Sequence, residues 1–232
     1  MARASRPLPT GAAKRAMVET MFDDIAPGYD RVNRVISLGF DRAWRRRTVG
    51  SLGLRARALV LDVACGTGDL CDDLARAGYR PIGCDFSAGM LRAAHTHAPL
   101  VRADALTLPT PPEAVDGVAC GFALRNFTDL ASFLRECSRV LRPGGRLAAL
   151  DAAQPEHRLV RVGHDLWFRR VVPWVGARLS GDADAYRYLP DSTAYLPEPR
   201  VLRELFSTAG FVDVERITMM GGAVQLLTGT RR

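Results

Sequence analysis

The cysteines and histidines of this 232-residue sequence form none of the common metal or disulfide patterns. The five cysteines include no C-x-x-C pair and are odd in number, which argues against a zinc site and a disulfide framework and fits a reducing compartment. The four histidines form no H-E-x-x-H motif, so no metal site is expected. No stretch approaches the ~18 apolar residues of a membrane span, and no apolar signal segment follows the basic N-terminus. We therefore expect a cytoplasmic protein.

Acidic residues are scarce at the start of the chain. The first 57 residues hold 12 lysines and arginines against five acids, and the rest is balanced, so the net charge of +7 is N-terminal. A nucleic-acid reader would explain such a patch, but few aromatics and no binding motif accompany it, so no nucleic acid is expected. A solvated face is the commoner explanation, and attraction to an anionic membrane surface is a third.

The length and composition indicate one domain with a substantial core, since 47% hydrophobic residues is ordinary for a soluble globular protein. Residues 1–13 are small, basic and proline-containing, and they predict a disordered tail. Residues 14–232 predict a single domain. Within it, we expect a helical N-terminal extension over 14–57 and a helical lid or substrate region over 155–197.

The clearest motif is a short apolar run that begins at Leu59 and leads into Asp62, Gly66 and Gly68. A helical pattern follows, so the motif predicts the first β-strand, a tight turn and the first helix of an α/β domain. Glycines there let a ligand approach the backbone, and the helix behind the turn points unpaired N–H groups at that ligand. A junction without a ligand is the plainer interpretation, but it requires neither the acid nor both glycines.

A dinucleotide fits this turn poorly. Its G-x-G-x-x-G motif has a third glycine where Cys71 stands here, and Asp62 would repel a pyrophosphate. The stretch resembles instead the glycine-rich motif of S-adenosylmethionine-dependent methyltransferases of the Rossmann-like class. The resemblance implies a donor without phosphates, whose cationic amine would be attracted by Asp62. An NAD-binding oxidoreductase stays as the less favoured alternative.

Acids at the ends of the next two strands extend the predicted cofactor site. Asp85, after a strand over 80–85, can accept hydrogen bonds from a ribose diol, although it can also cap the helix that starts at Ser87. Asp104 follows a short strand, at the place where the resembling enzymes hold the adenine amino group. The full predicted cofactor set is Asp62, Gly66, Thr67, Gly68, Asp85, Phe86, Asp104, Ala105 and Gly121.

Alternating strand and helix patterns continue to the end of the chain. They predict an α/β, Rossmann-like fold with a mostly parallel, doubly wound sheet. A fourth strand is predicted over 115–120, and a fifth over 146–151 after a turn at 143–145. Two last strands, over 211–219 and 223–229, predict a C-terminal antiparallel hairpin, which the resemblance also implies.

Four segments carry a more specific resemblance. The pattern Y-D-x-x-N-x-x-x-S-x-G-x-x-R-x-W begins at Tyr29, and further matching segments lie at 123–129, 139–146 and 182–189. Together they resemble the ubiquinone/menaquinone biosynthesis C-methyltransferases from about residue 21 to the end. The resemblance implies a class I S-adenosylmethionine-dependent enzyme that methylates the ring of a demethylmenaquinol or a related polyprenyl quinol.

The predicted catalytic residues are Arg125, Asn126, Tyr29 and Asp30. Arg125 and Asn126 follow the fourth strand, and ligands of open α/β sheets bind beyond strand carboxyl ends. Arg125 stays protonated, so it would stabilise a phenolate or orient a water rather than act as a base; a surface salt bridge is its plainer role. Tyr29 and Asp30 are placed on a loop that folds over the glycine turn, ahead of a helix whose predicted N-cap is Asp41.

The acceptor side departs from the family pattern at four positions. The family usually has serine where this chain has Gly121, and a Glu-Phe-Ser segment where this chain has Asp151. It usually has arginine in place of Ala194 and histidine in place of Leu227. Two alternatives therefore stay open: a methyltransferase of another phenolic or natural-product acceptor, and a non-catalytic cofactor-binding partner in a quinone-biosynthetic complex. The basic amphipathic stretch 155–180 is either a helix packed on the core or a lid that meets an isoprenoid tail or a membrane surface. The oligomeric state, a homodimer included, is left open.

Overall fold

The structure is a computed structural model that describes residues 9–155, 161–163, 166–167, 171–172, 178, 188 and 191–232. Its strands are β1 Leu59–Val63, β2 Arg80–Asp85, β3 Leu100–Arg102, β4 Val115–Gly121, β5 Leu141–Ala152, β6 Phe211–Met219 and β7 Val224–Arg231. They form one sheet in the order β3-β2-β1-β4-β5-β7-β6. Strands β1 to β5 pair in parallel, and β7 pairs antiparallel with β5 and β6. The predicted sheet and its closing hairpin are confirmed.

Helices cover both faces of this sheet. They are α1 Gly11–Ile25, α2 Tyr29–Ile36, α3 Asp41–Leu52, α4 Asp69–Arg76, α5 Ala88–Ala93, α6 Leu130–Val140 and α7 Pro199–Thr208. The pleat sends Leu61 and Val63 of β1 to the face that α6 and α7 cover. It sends Val60 to the opposite face, which α3 and α4 cover. None of the described helices is long and apolar enough to cross a bilayer.

The N-terminal extension is helical, as predicted, but its details differ. Helix α1 begins at Gly11, so the last residues of the predicted tail are helical, while residues 1–8 lie outside the described part. Tyr29 and Asp30 lie in the first turn of α2 rather than on a loop, because the short 3-10 turn at 26–28 leads directly into a helix that buries Val32. Asp41 is the first residue of α3 and not its N-cap; Phe40 takes that position.

Two strand boundaries also differ from the prediction. Strand β5 starts at Leu141 rather than 146, because Leu141 already pairs with Val115 and the glycine-containing turn is absorbed as an irregularity in the ladder. Strand β7 runs two residues past 229, because Arg231 pairs with Phe211. Most of the predicted lid over 155–197 lies outside the described residues, and so does the matching segment 182–189 apart from Tyr188.

Candidate active site

A cavity opens at the carboxyl ends of β1, β2 and β4, where an open α/β sheet binds its ligands. Eight residues of the predicted site line it: Tyr29, Gly66, Asp85, Phe86, Asp104, Ala105, Gly121 and Asn126. The other five predicted site residues do not line it; they are Asp30, Asp62, Thr67, Gly68 and Arg125. Most of the predicted set is therefore brought together around one space, and the remaining members lie outside its lining.

Asp62 lies beneath the glycine turn and is fully buried. Its Oδ2 accepts a hydrogen bond from Cys71 Sγ at 3.2 Å, whereas its Oδ1 is the one buried side-chain oxygen or nitrogen in the described chain that lacks a hydrogen-bond partner. Burial raises the pKa of Asp62 to about 7. A buried carboxylate with an unused oxygen is costly unless a donor or cation meets it, so this position suits a cationic ligand group.

The two glycines of the turn have different roles. Gly66 has φ +55° and lines the cavity, and a Cβ added there would meet no protein atom within 4 Å. Gly68 has φ +95°, and its Cβ would lie 2.4 Å from Thr96 Cγ2. The expectation that both glycines keep side chains away from a ligand is therefore corrected: Gly68 is required by the close approach of Thr96 and by its left-handed backbone.

Asp85 joins the second strand to the turn. Its Oδ2 accepts from Gly66 N at 2.7 Å and its Oδ1 from Ser87 N at 2.8 Å, so one carboxylate holds both the glycine turn and the start of α5. Burial raises its pKa. Each oxygen keeps a second lone pair, and Asp85 lines the cavity, so the carboxylate can still accept from a pair of ligand hydroxyls.

Helix α1 forms a wall of the cavity that the sequence analysis did not predict. Arg15, Val18, Glu19 and Phe22 line it. Arg15 pairs with Asp104 Oδ2 at 2.8 Å, and its guanidinium lies 4.6 Å from the ring centroid of Phe86. These four residues have the i, i+3, i+4, i+7 spacing of a single helix face, and this spacing could have identified them from the sequence. Their mixed polarity hid the pattern.

Helix α2 is fastened to the glycine turn by polar contacts. Thr67 Oγ1 donates to Asp30 Oδ1 at 2.6 Å. His95 lies between two carboxylates, with its ring nitrogens 3.5 Å from Asp30 Oδ2 and 3.4 Å from Asp69 Oδ1. Asp69 in turn pairs with the buried Arg45 of α3 at 2.9 Å. Asp30 therefore holds the turn in place from outside the cavity.

Arg125 forms a buried ion pair rather than the surface salt bridge considered above. Its guanidinium contacts the carboxylate of Asp151, donates to Phe122 O at 2.8 Å and donates to Ser192 Oγ at 3.2 Å. Its backbone N–H also donates to Asp151 Oδ2, at 3.0 Å. Asn126 does line the cavity, and its Oδ1 accepts from Tyr188 O–H at 3.2 Å. The ion pair thus fixes the turn that presents Asn126.

Lys14 secures the same turn from the other side. It is the single lysine of the chain, and it is buried. Its Nζ donates to Arg125 O and to Phe127 O, each at 2.8 Å, and lies 3.6 Å from the ring centroid of Tyr195. Burial lowers the pKa of this amine to about 8. Helix α1 therefore contacts both the cofactor side and the acceptor side of the cavity.

Comparison with known proteins identifies the group to which this arrangement belongs. A family model, that of the ubiE/COQ5 methyltransferase family, matches residues 10–231. The chain belongs to the ubiE/COQ5 methyltransferase family. It is 40% identical over 234 residues to a demethylmenaquinone methyltransferase of Roseiflexus sp. RS-1, an alignment that covers 97% of this chain and 98% of that one. It is 34% identical to the UbiE C-methyltransferase of Hahella chejuensis, over 94% and 92% of the two chains. The predicted family and the predicted enzyme class are confirmed.

Solved structures share the fold at lower identity. An S-adenosylmethionine-dependent methyltransferase of Thermotoga maritima superposes with a TM-score of 0.65 at 18% identity, covering 92% of this chain and 99% of that one. One from Aquifex aeolicus gives 0.58 at 16% identity, over 81% and 89% of the two chains. At these identities the likeness supports the architecture alone.

The departures from the usual pattern of the ubiE/COQ5 family have definite places in the structure. Asp151 is the ion-pair partner of Arg125, so the acid at the end of β5 keeps a clear structural role. A Cβ added at Gly121 would make only an ordinary 3.6 Å contact with Leu70, so the structure has room for a small side chain at this position. Leu227 is fully buried in β7 within the core, and Ala194 lies in the 3-10 turn at 193–195.

Proposed function

We propose that this chain transfers a methyl group from S-adenosylmethionine to a ring carbon of a demethylmenaquinol or a related polyprenyl quinol. The family supports the reaction class, and the names of the relatives support the acceptor. The observation that carries the cofactor assignment is the buried, unpartnered Oδ1 of Asp62 beneath an open glycine turn. That pairing suits a cationic amino-acid end and opposes a phosphate.

The residues of the glycine turn and of the next two strands suit the parts of the donor one by one. Asp62 supplies negative charge for its ammonium, and Gly66 leaves the backbone open for its chain. Asp85 accepts from the ribose hydroxyls through its remaining lone pairs. Phe86, Asp104 and Ala105 border the place for adenine. When bound, S-adenosylmethionine supplies an electrophilic methyl group on its sulfonium.

The acceptor side of the cavity is largely apolar, as a quinol ring requires. Phe22, Tyr29, Phe122 and Phe127 line it, together with the amide of Asn126. These rings position the acceptor and exclude water, while Asn126 offers a hydrogen bond to a ring oxygen. Arg125 acts through the turn that carries Asn126, which its buried ion pair with Asp151 holds in place.

Turnover with labelled S-adenosylmethionine and a short-tailed demethylmenaquinol tests the reaction directly. We expect label in the ring-methylated quinol and accumulation of the desmethyl quinone in a deletion strain, as mass spectrometry of the quinone pool would record. Cofactor binding without turnover on any quinol would identify a non-catalytic partner. Turnover only on unprenylated phenols would favour another acceptor.

The proposed place of action is the cytoplasm, with peripheral contact to the membrane that holds a polyprenyl substrate. Fractionation of cells into soluble and membrane parts tests this location. The oligomeric state, a homodimer included, stays open, and light scattering of the purified protein measures it.

A further inference from the structure

The turn between α2 and α3 exposes large apolar side chains at its surface. Val35, Leu38 and Phe40 are 40%, 61% and 45% exposed, and we call these three residues the α2–α3 tip. Eight large apolar side chains are exposed in the described part of the chain, and three of them fall within these six consecutive positions. Single exposed apolar residues are ordinary on protein surfaces, whereas a contiguous group marks an interaction site.

The backbone conformation at Leu38 favours glycine, so the folding of the chain does not explain why a leucine stands there. Leu38 N donates to Val35 O at 3.1 Å and Gly39 N donates to Arg34 O at 2.9 Å, which is the Schellman pattern at a helix end. Leu38 occupies the left-handed position of that pattern, with φ +52°, where glycine is favoured. Leu38 is therefore both strained and exposed, and it contributes little to folding.

The exposed charged side chains of α2 and α3, the two helices that flank the tip, have one sign. Helices α2 and α3 contain two acids, and both are engaged: Asp30 accepts from Thr67, and the buried Asp41 pairs with Arg45. Five arginines of the same helices are exposed, and none of them forms an ion pair within the described residues: Arg31, Arg34, Arg42, Arg46 and Arg47. An apolar tip between two helices whose exposed arginines have no acidic partner in the described chain complements an anionic bilayer, in which the tip enters the acyl boundary and the arginines meet headgroups.

A row of aromatic rings connects the tip to the cavity. Phe40 stacks on Trp44 with ring centroids 6.3 Å apart, and Trp44 lies 6.1 Å from Phe122, which lines the cavity. Helix α2 also connects the tip to the cavity, since its first residue, Tyr29, lines the cavity and its last residue adjoins the tip. Eight helical residues span about 12 Å, so a bilayer at the tip would lie within reach of a lipid tail held at the cavity.

We propose that the α2–α3 tip and the exposed arginines of its two flanking helices form the docking surface for an anionic lipid bilayer. Docking there presents the cavity to the membrane and delivers the acceptor along the row Phe40–Trp44–Phe122. The delivery step rests on the proposed function, because it requires a lipid-tailed quinol. The binding of the bilayer does not, since it depends only on the exposed residues and their charge.

Flotation with vesicles tests the surface in the full-length protein. Vesicles of phosphatidylcholine mixed with phosphatidylglycerol should bind the wild type, and added salt or phosphatidylcholine alone should weaken that binding. Leu38→Gly should lower vesicle affinity about tenfold while leaving the Tm equal or higher, because glycine suits the backbone there. Arg34→Gln combined with Arg42→Gln should lower it about fivefold per arginine.

Matched controls lie on α7, on the opposite face of the sheet. Val201 is 37% exposed and Arg203 is exposed, so Val201→Thr and Arg203→Gln remove similar groups and should leave vesicle binding unchanged. Absence of wild-type binding to anionic vesicles, or equal losses in the control variants, would overturn the proposal and assign the tip to another occupant such as a protein.

Parallel turnover assays separate this inference from the proposed function. With a short-tailed quinol in free solution, Leu38→Gly should match the wild type. With a long-tailed quinol in anionic vesicles, it should show a raised apparent KM. A protein that methylates the soluble quinol but ignores vesicles would refute the docking surface alone, and one that binds vesicles but methylates no quinol would refute the function alone.

Discussion

Replacing Asp62 with asparagine should strengthen the fold and weaken the binding of the methyl donor. The pKa of Asp62 is about 7, against 3.8 for an ordinary aspartate. Because 1.36 kcal/mol corresponds to each pKa unit, keeping this buried carboxylate ionised at pH 8 costs about 4 kcal/mol of folding free energy. The amide removes that cost but brings its own polar burial, so we expect a net gain of about 2 kcal/mol at pH 8.

The sign of this gain depends on pH. Between about pH 4 and 7 the folded state binds more protons at Asp62 than the unfolded state does, so the wild type loses stability as pH rises through that range. Near pH 4.5 the carboxyl is already protonated in the folded protein, and the advantage of Asp62→Asn should vanish. Urea unfolding at the two pH values measures both limits.

Donor affinity should change in the opposite direction. Removing one member of a buried charge pair costs about 3 kcal/mol, which is more than 100-fold in Kd at pH 8 by calorimetry. Asp116 offers a matched control on β4: its carboxylate accepts from Leu59 N at 2.8 Å and from Arg142 at 2.6 Å, away from the cavity. Asp116→Asn should lose stability and keep its affinity. An Asp62→Asn protein that is less stable at pH 8 and binds the donor normally would refute the reasoning.

Three further substitutions test other contacts of the site. Asp151→Asn leaves the buried guanidinium of Arg125 without its charge partner, so it should lower the free energy of unfolding by about 3–5 kcal/mol in urea; unchanged stability would contradict the ion pair. Gly68→Ala should lower the Tm far more than Gly66→Ala, because only the Gly68 substitution places a Cβ 2.4 Å from another side chain. Gly66→Ala should mainly raise the Kd for the donor. Lys14→Met removes the donor to one buried and one part-buried carbonyl, so it should cost about 2–3 kcal/mol and speed hydrogen exchange in α1; unaltered exchange there would contradict its anchoring role.

The sheet and the cofactor side could be predicted from the sequence because their signals are local. Short apolar runs indicated the strands, and the glycines and acids at strand ends marked the turn that Asp62 and Asp85 support. The pairing of Arg125 with Asp151 joins the turn after β4 to the carboxyl end of β5, 26 positions further along the chain, and no local pattern encodes it. A comparison of strand ends would have suggested it, since β4 and β5 are adjacent parallel strands whose carboxyl ends meet at one edge of the sheet.

The N-terminal helices were harder to predict for a different reason. Arg15 and Glu19 look like solvent residues on a helix, yet they line a cavity, because a polar ligand site places polar groups where a core would place apolar ones. Asp41 looked like an N-cap because its type favours that position. Its carboxylate instead pairs with Arg45, one helical turn later, and accepts from Ser37, four residues earlier, so side-chain contacts take the place of a cap on the helix N–H groups.

The solitary lysine gives the molecule a built-in reporter. Besides a free amino terminus, Lys14 is the single primary amine of the chain, and folding hides it between α1 and the turn at 124–127. An acylating reagent can modify it only while that helix swings away. The rate of labelling, followed by mass spectrometry, therefore measures how often α1 moves away from the cavity. It would show whether ligand exchange requires that movement.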